Sequence, residues 1–118
     1  MKDHRPLAVI GLMIGLAAGS IATIPAVVLA VASAGLGHGT YSLARLLYPH
    51  AMLIWLSSRG EFSPPLIALS LAQFPLYGAL IGASWPWRRW RILTACAVLV
   101  VHLLAAGACF SDHAANSS

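Results

Sequence analysis

Long apolar runs, separated by short polar stretches, make up most of the chain. Residues 7–33, 64–84 and 92–110 contain no Asp, Glu, Lys or Arg. A helix needs about 20 mostly apolar residues to cross the hydrocarbon layer of a bilayer, so each run predicts a membrane-spanning helix. The composition agrees, because charged residues make up 8% of the chain, whereas they make up about a quarter of a soluble domain.

A fourth candidate helix is residues 41–58, which Arg45 and Pro49 interrupt. Pro49 lacks the N–H that a helix interior needs, so we expect it to kink this segment or divide it into two short helices. The segment is long enough to span if Arg45 extends its side chain to the headgroups, and short enough to be re-entrant. We predict an all-α integral membrane protein with a single transmembrane domain. It is a small bundle of four hydrophobic helical segments, with a short polar tail at 111–118.

The positive charges bear on whether the second segment spans. With four spans, the seven Lys and Arg residues divide three against four between the two sides of the membrane. With a re-entrant second segment, five of the seven fall on one side. Lys and Arg collect on the cytoplasmic side of membrane proteins, so the charge count favours three spans. We still favour four helical segments, because residues 41–58 are long enough to span if Arg45 reaches the interface, and both alternatives for the second segment stay open.

The first run has one other interpretation, a cleaved signal peptide. Basic residues precede the run, and Ala32, Ser33 and Ala34 form a small-residue pattern like that of a cleavage site. However, the run is about twice as long as the apolar region of a signal peptide. We therefore expect a retained membrane helix.

Glycine recurs at every fourth position of the first run, at Gly11, Gly15 and Gly19, and again at Gly78 and Gly82. Residues four apart lie on one face of a helix. In lipid, such small residues allow two helix backbones to approach closely. The glycines therefore predict a packing seam, either within the chain or between copies of it.

The connection between 64–84 and 92–110 combines tryptophan with arginine. Tryptophan favours the headgroup layer and arginine the cytoplasmic side. Interleaved aromatic and basic residues also occur at nucleic-acid sites, but the flanking apolar runs favour the membrane interface and no nucleic-acid partner. We predict contacts with lipid headgroups. We also hypothesise that these residues bind anionic lipid. If vesicle binding is unchanged after all three arginines are replaced by glutamine, this hypothesis is excluded. The candidate residues are Trp85, Trp87, Arg88, Arg89, Trp90 and Arg91.

Polar side chains occur near the middle of three segments, at His50, Gln73 and His102, with Tyr77 one turn after Gln73. Ionisable groups at this depth are candidates for function. Two histidines are able to ligate haem or a metal, or to pass protons. Alternatively, the polar groups satisfy one another's hydrogen bonds in a dry core. We favour the structural cluster, because haem and metal sites usually have more ligands.

The remaining chemistry is sparse. No acidic residue lies in any of the apolar runs, which argues against an exporter that depends on a membrane carboxylate. None of the familiar catalytic or nucleotide-binding motifs is present. Cys96 and Cys109 would be about 20 Å apart on one helix, too far for a disulfide. We expect no enzyme activity, no cofactor and no bound metal.

These features predict a small multi-pass protein of the cell membrane that acts as an accessory or structural subunit. Its partners would be the lipid bilayer and, through the glycine seams, a second copy or a larger membrane protein. A second possibility is a minimal oligomeric channel or transporter with a polar path. That path would be lined by Ser70, Gln73, Tyr77, His50 and His102. A third possibility is a redox subunit that holds haem or a metal at the two histidines.

Overall fold

The computed structural model describes residues 3–35 and 38–116, apart from the side chains at 113, 114 and 116. Within those ranges the chain is all-α and contains no strand, which confirms the predicted fold class. The bundle is elongated, with principal extents of 60 × 24 × 20 Å. The helices described are α1 (Arg5–Ala34), α2 (Ser42–Leu47), α3 (Pro49–Ser57), α4 (Pro64–Ala83) and α5 (Arg88–Asn116).

Three of the helices are long and apolar enough to cross a membrane: α1, α4 and the part Arg88–Asp112 of α5. α1 and α4 each begin with proline in the first turn, where its missing N–H leaves no hydrogen bond unmade. Both helices also continue through an internal proline, Pro25 in α1 and Pro75 in α4. Large apolar side chains are exposed along all three helices. Such extended apolar surfaces are rare on soluble proteins and fit insertion into a membrane.

The observed boundaries agree with the predicted ones for α1 and α4 to within a few residues, but α5 is longer than the predicted 92–110. It begins at Arg88 and continues to Asn116, because no glycine or proline interrupts the chain at either extension. The arginines of the predicted connection therefore lie in the first turn of α5. The part 111–116 of the predicted polar tail is helical, and 117–118 lie outside the described residues.

α1 and α4 pack side by side in opposite directions. Their facing residues follow in reversed order, as expected for an antiparallel pair. The pairs in contact are Gly11 with Gly82, Gly15 with Gly78, and Gly19 with Phe74. The start of α1 therefore lies beside the end of α4, and the end of α1 lies beside the start of α4.

The two ends of the bundle differ in charge. His4, just before α1, lies against Trp87, just before α5, with ring centroids 6.1 Å apart. Arg5 therefore lies at the same end of the bundle as the three arginines of residues 88–91, and we call it the basic end. Since α4 runs back toward this end and a short turn follows it, α5 runs parallel to α1, away from the basic end.

α2 and α3 form a re-entrant hairpin. Just before α2, the Tyr41 N–H donates to the Ser33 carbonyl in the last turn of α1, at 3.1 Å. Near the end of α3, the Trp55 ring lies 5.5 Å from the Tyr41 ring. The segment therefore enters and leaves at the same end of the bundle, which we call the hairpin end. The backbone leaves helical geometry at Tyr48 (φ −126°, ψ 52°), and Pro49 begins a new helix. Both ends of the segment lie at one end of the bundle, as the re-entrant alternative predicts, and the segment divides at Pro49 as expected.

The core lies where this hairpin packs among the three long helices. Half of its buried members are alanine, whose small side chain allows helix backbones to approach closely. They are Ala26, Ala30, Ala44, Tyr48, Ala51, Met52, Leu66 and Cys109. This packing holds the tip of the hairpin against the middle of α4 and α5, where the predicted polar residues lie.

Candidate functional site

The five predicted seam glycines face one another across α1 and α4, within a single chain. A Cβ added to Gly11, Gly15 or Gly19 would collide with backbone atoms of α4. A Cβ added to Gly78 or Gly82 would collide with backbone atoms of α1. Both glycine stripes are therefore covered by the intramolecular contact. The sequence left open whether the seam lies within the chain or between copies, and in the structure it lies within the chain.

The predicted headgroup contacts lie together at the basic end. Trp85, Trp87 and Trp90 are exposed, as are Arg88 and Arg89. The guanidinium of Arg91 lies over the ring of Trp85, with its carbon 4.5 Å from the ring centroid, a cation–π contact.

Three of the four predicted polar residues form one hydrogen-bonded chain that joins α3, α4 and α5. His102 Nε2 lies 2.7 Å from the Leu46 carbonyl oxygen, and His102 Nδ1 lies 3.2 Å from the Tyr77 hydroxyl. The same hydroxyl lies 2.8 Å from His50 Nε2. We call these residues the His50–Tyr77–His102 chain.

For neutral imidazoles, the contacts determine which group donates at each step of the His50–Tyr77–His102 chain. A carbonyl oxygen only accepts, so His102 Nε2 carries a proton and donates to Leu46. In the neutral imidazole, Nδ1 then accepts from the Tyr77 hydroxyl. The Tyr77 oxygen is left to accept from His50 Nε2–H. The donors therefore point from His50 through Tyr77 to His102, and the last of them ends on the backbone of α2.

That last bond lies where the helix of the hairpin is broken. The break at Tyr48 and Pro49 leaves the carbonyls of Leu46 and Leu47 without a backbone donor, because neither has the partner that a continuous helix would supply. Unpaired carbonyls are costly in a bilayer, which has no water to bind them. Side chains take the place of the missing donors: His102 donates to Leu46, and Gln73 Nε2 donates to Leu47 at 2.8 Å. We call these two side chains the carbonyl cap.

Cys109 supports the same break and was missed from the sequence. Its thiol is fully buried and donates to the Pro49 carbonyl at 3.2 Å. Sequence reasoning placed the polar groups at one depth but expected them to satisfy one another, whereas Gln73 and His102 bind backbone. The signal that was available is Pro49 itself, since a proline break in an apolar segment implies free carbonyls that need donors.

Ser70 lies apart from the His50–Tyr77–His102 chain. Its hydroxyl donates to the Leu66 carbonyl of its own helix at 2.9 Å. It lines a cavity of about 210 Å³ whose other walls are largely apolar side chains from α1, the hairpin and α4. None of the residues of the His50–Tyr77–His102 chain lines this cavity.

The donor set of the polar cluster suits a hydrogen-bond network better than a metal or haem site. Among the described residues, no group of three or more His, Cys, Asp and Glu side chains is placed to hold a metal ion. Both ring nitrogens of His102 are engaged in hydrogen bonds, and so is Nε2 of His50. A ligand role for the pair would require these bonds to break.

Comparison of the chain with known protein families, with curated proteins and with solved structures finds no match.

Proposed function

We propose that this chain is a non-catalytic accessory or structural subunit of the cell membrane that crosses the bilayer three times. The observation that carries the proposal is the carbonyl cap. His102 and Gln73 are polar residues of the kind that would line a transport path, and both are engaged in holding the re-entrant hairpin. Side chains used in this way stabilise a fold, and they leave little polar chemistry for acting on a substrate.

The partner is either a second copy or a larger membrane protein, and it meets the outward faces of the bundle. The glycine seam joins α1 to α4 inside the chain, so it builds the subunit and does not join it to its neighbour. The outward faces of α1, α4 and α5 are apolar, which suits burial against lipid or against another membrane helix.

Purification of the tagged chain in a mild detergent tests the proposal. We expect a particle whose mass exceeds that of the monomer and which contains either further copies of the chain or one other membrane protein, in fixed stoichiometry. A tagged membrane protein of similar size and hydropathy serves as the control for non-specific capture. A chain that purifies as a monomer without a partner would contradict the proposal.

A second function is favoured by one observation, the continuous His50–Tyr77–His102 chain. Hydrogen-bonded imidazole and hydroxyl groups are able to pass protons. An oligomer of the protein could therefore conduct protons along the His50–Tyr77–His102 chain. A homogeneous homo-oligomer that makes liposomes permeable to protons, with permeability lost in Tyr77→Phe, would favour conduction over the accessory role. If liposomes that contain the protein are no more permeable to protons than empty liposomes, proton conduction is ruled out.

The proposed topology places the basic end in the cytoplasm and the hairpin end on the other side. Arg5 and the arginines of 88–91 lie at the basic end, whereas Arg45 and Arg59 belong to the hairpin side, so the positive-inside rule orients the chain. Lys2, counted with the basic end in the sequence, lies outside the described residues.

Cysteine labelling checks this topology. Single cysteines at Ser42 and Ser63, which flank the hairpin and are exposed, are expected to react with an impermeant thiol reagent from the outside of intact cells. A cysteine at Arg89 is expected to react only after the membrane is made permeable. The background carries Cys96→Ala and Cys109→Ser, because serine keeps a donor for the Pro49 carbonyl. If the cysteines at positions 42 and 63 are labelled from opposite sides of the membrane, the segment that contains α2 and α3 crosses the bilayer.

A further inference from the structure

A buried arginine near the hairpin end has no counter-charge. The sequence predicts that Arg45 extends its side chain to the headgroups, but only 6% of the residue is exposed. Its Nε is fully buried without a hydrogen-bond partner, and no hydrogen bond or ion pair joins the side chain to the described part of the chain. An isolated charge is among the most unfavourable groups to bury. The folded protein therefore needs an anion from outside these residues.

No acidic residue in the described part of the chain forms an ion pair with Arg45. Asp3 lies at the basic end, where it accepts a hydrogen bond from the Arg5 N–H. Glu61 and Asp112 are exposed, and neither forms an ion pair with Arg45. These are the only acidic residues in the sequence.

Arg45 lies close to where the spanning helices end. The N–H of the preceding residue, Ala44, donates to the Ser33 hydroxyl in the last turn of α1, at 3.2 Å. α2 also packs against α5, and the apolar part of α5 ends at Asp112. Arg45 is therefore buried on α2, one residue after the contact with the last turn of α1.

Aromatic side chains mark the same level. The ring of Trp55 lies 5.5 Å from that of Tyr41 and 5.6 Å from that of Phe62, in a cluster at the hairpin end. Tryptophan and tyrosine collect at the headgroup layer of membrane proteins. Their position is independent of Arg45 and places the hairpin end among lipid headgroups, where phosphate is the abundant anion.

We propose that Arg45 binds the phosphate of an anionic lipid at the hairpin end of the bundle. A guanidinium donates two parallel hydrogen bonds to a phosphate and is the side chain best matched to it. The small exposed fraction of Arg45 favours a single phosphate group over the surface of a protein partner. This site does not depend on whether the chain acts as a subunit.

The experiment compares Arg45→Met with Arg59→Met, which changes an exposed arginine of the same side. Each protein is placed in nanodiscs of phosphatidylcholine, with or without phosphatidylglycerol, and is studied by thermal unfolding and by native mass spectrometry. We expect phosphatidylglycerol to raise the Tm of the wild type and of Arg59→Met, and one lipid to remain bound. We expect Arg45→Met to retain this lipid about tenfold less and to show no rise. Arg45→Met is expected to fold, because methionine keeps an apolar side chain of similar length and removes a buried charge that has no partner among the described residues.

Further arms separate the possible sources of the anion. Inorganic phosphate added to phosphatidylcholine nanodiscs is expected to leave the Tm unchanged, and a rise equal to that with lipid would overturn the lipid assignment. Asp112→Asn is expected to leave the lipid effect intact; if it instead destabilises the protein and abolishes the effect, Asp112 is the counter-ion. A wild-type Tm that does not respond to phosphatidylglycerol, with a co-purifying protein lost only in Arg45→Met, would replace the lipid by a partner's carboxylate.

Discussion

Replacing Gly15 by leucine is expected to separate α1 from α4 and to abolish the folded protein in detergent. A side chain at this position would meet the carbonyl group of Gly78, and backbone atoms cannot rotate away as a side chain does. Overpacking typically destabilises a core by about 1–3 kcal/mol where neighbours are able to adjust. Here the helices themselves must move apart, so we expect a loss at or above the upper end of that range. Tryptophan fluorescence during heating and the monodisperse fraction on size exclusion measure it.

Gly107→Leu is the matched control, because nothing lies within 4 Å of a Cβ added to this glycine of α5. It is expected to unfold at nearly the wild-type temperature. Alanine substitutions at Gly15 and Gly107 give a second comparison with a smaller added side chain. Gly15→Ala is expected to destabilise through the same clash, whereas Gly107→Ala is expected to be neutral or slightly stabilising, since alanine favours helix more than glycine does. Equal Tm values for Gly15→Leu and Gly107→Leu would show that the seam does not hold α1 to α4.

Replacing His102 by alanine is expected to destabilise the protein by about 2–4 kcal/mol. The change removes the donor to the Leu46 carbonyl and the acceptor for the Tyr77 hydroxyl, and it leaves space where the ring was. The carbonyl then remains unpaired at the tip of the hairpin, where no backbone donor replaces the ring. Chemical or thermal unfolding in a fixed detergent measures the loss, and faster proteolysis between α1 and α4 would show that the hairpin has been released.

Two amide variants separate the roles of the ring nitrogens of His102. Glutamine places an amide donor near the position of Nε2, so His102→Gln is expected to keep the bond to Leu46 and most of the stability. Asparagine places its groups nearer Nδ1, so His102→Asn is expected to be less stable. Tyr77→Phe leaves the carbonyl cap intact but interrupts the His50–Tyr77–His102 chain, and we expect a loss of only about 1 kcal/mol. If His102→Gln is as unstable as His102→Ala, the bond to Leu46 does not carry the stability.

Much of the fold follows from the sequence, because the membrane imposes simple rules. Absence of charge over a sufficient length predicted the three long helices, and Pro49 predicted where the fourth segment divides. The charge count also favoured a re-entrant segment, since it depends only on which connections share a side. The glycine spacing indicated a seam, yet spacing on one helix does not identify the helix that faces it. That pairing depends on how α1 and α4 meet in three dimensions.

The polar residues show why the sequence did not predict the hydrogen-bond partners of the site. Their common depth follows from counting along the helices, but their hydrogen-bond partners depend on the direction in which the hairpin turns. Cys109 donates to a carbonyl 60 positions earlier in the chain, and no local pattern relates the two. The sequence predicted that Arg45 extends to the headgroups, and only the packing of α2 in the bundle shows that the residue is buried.

The carbonyl cap joins the hairpin to residues that are synthesised later. The donor to the Leu46 carbonyl lies 56 positions further along the sequence, and the donor to the Leu47 carbonyl lies 26 positions further. A nascent chain that has inserted α1 therefore carries α2 and α3 with carbonyls that the lipid interior does not satisfy. We therefore expect the hairpin to remain at the wet surface until α4 and α5 have entered the membrane. The second segment to leave the ribosome would then be the last to take its place in the bundle.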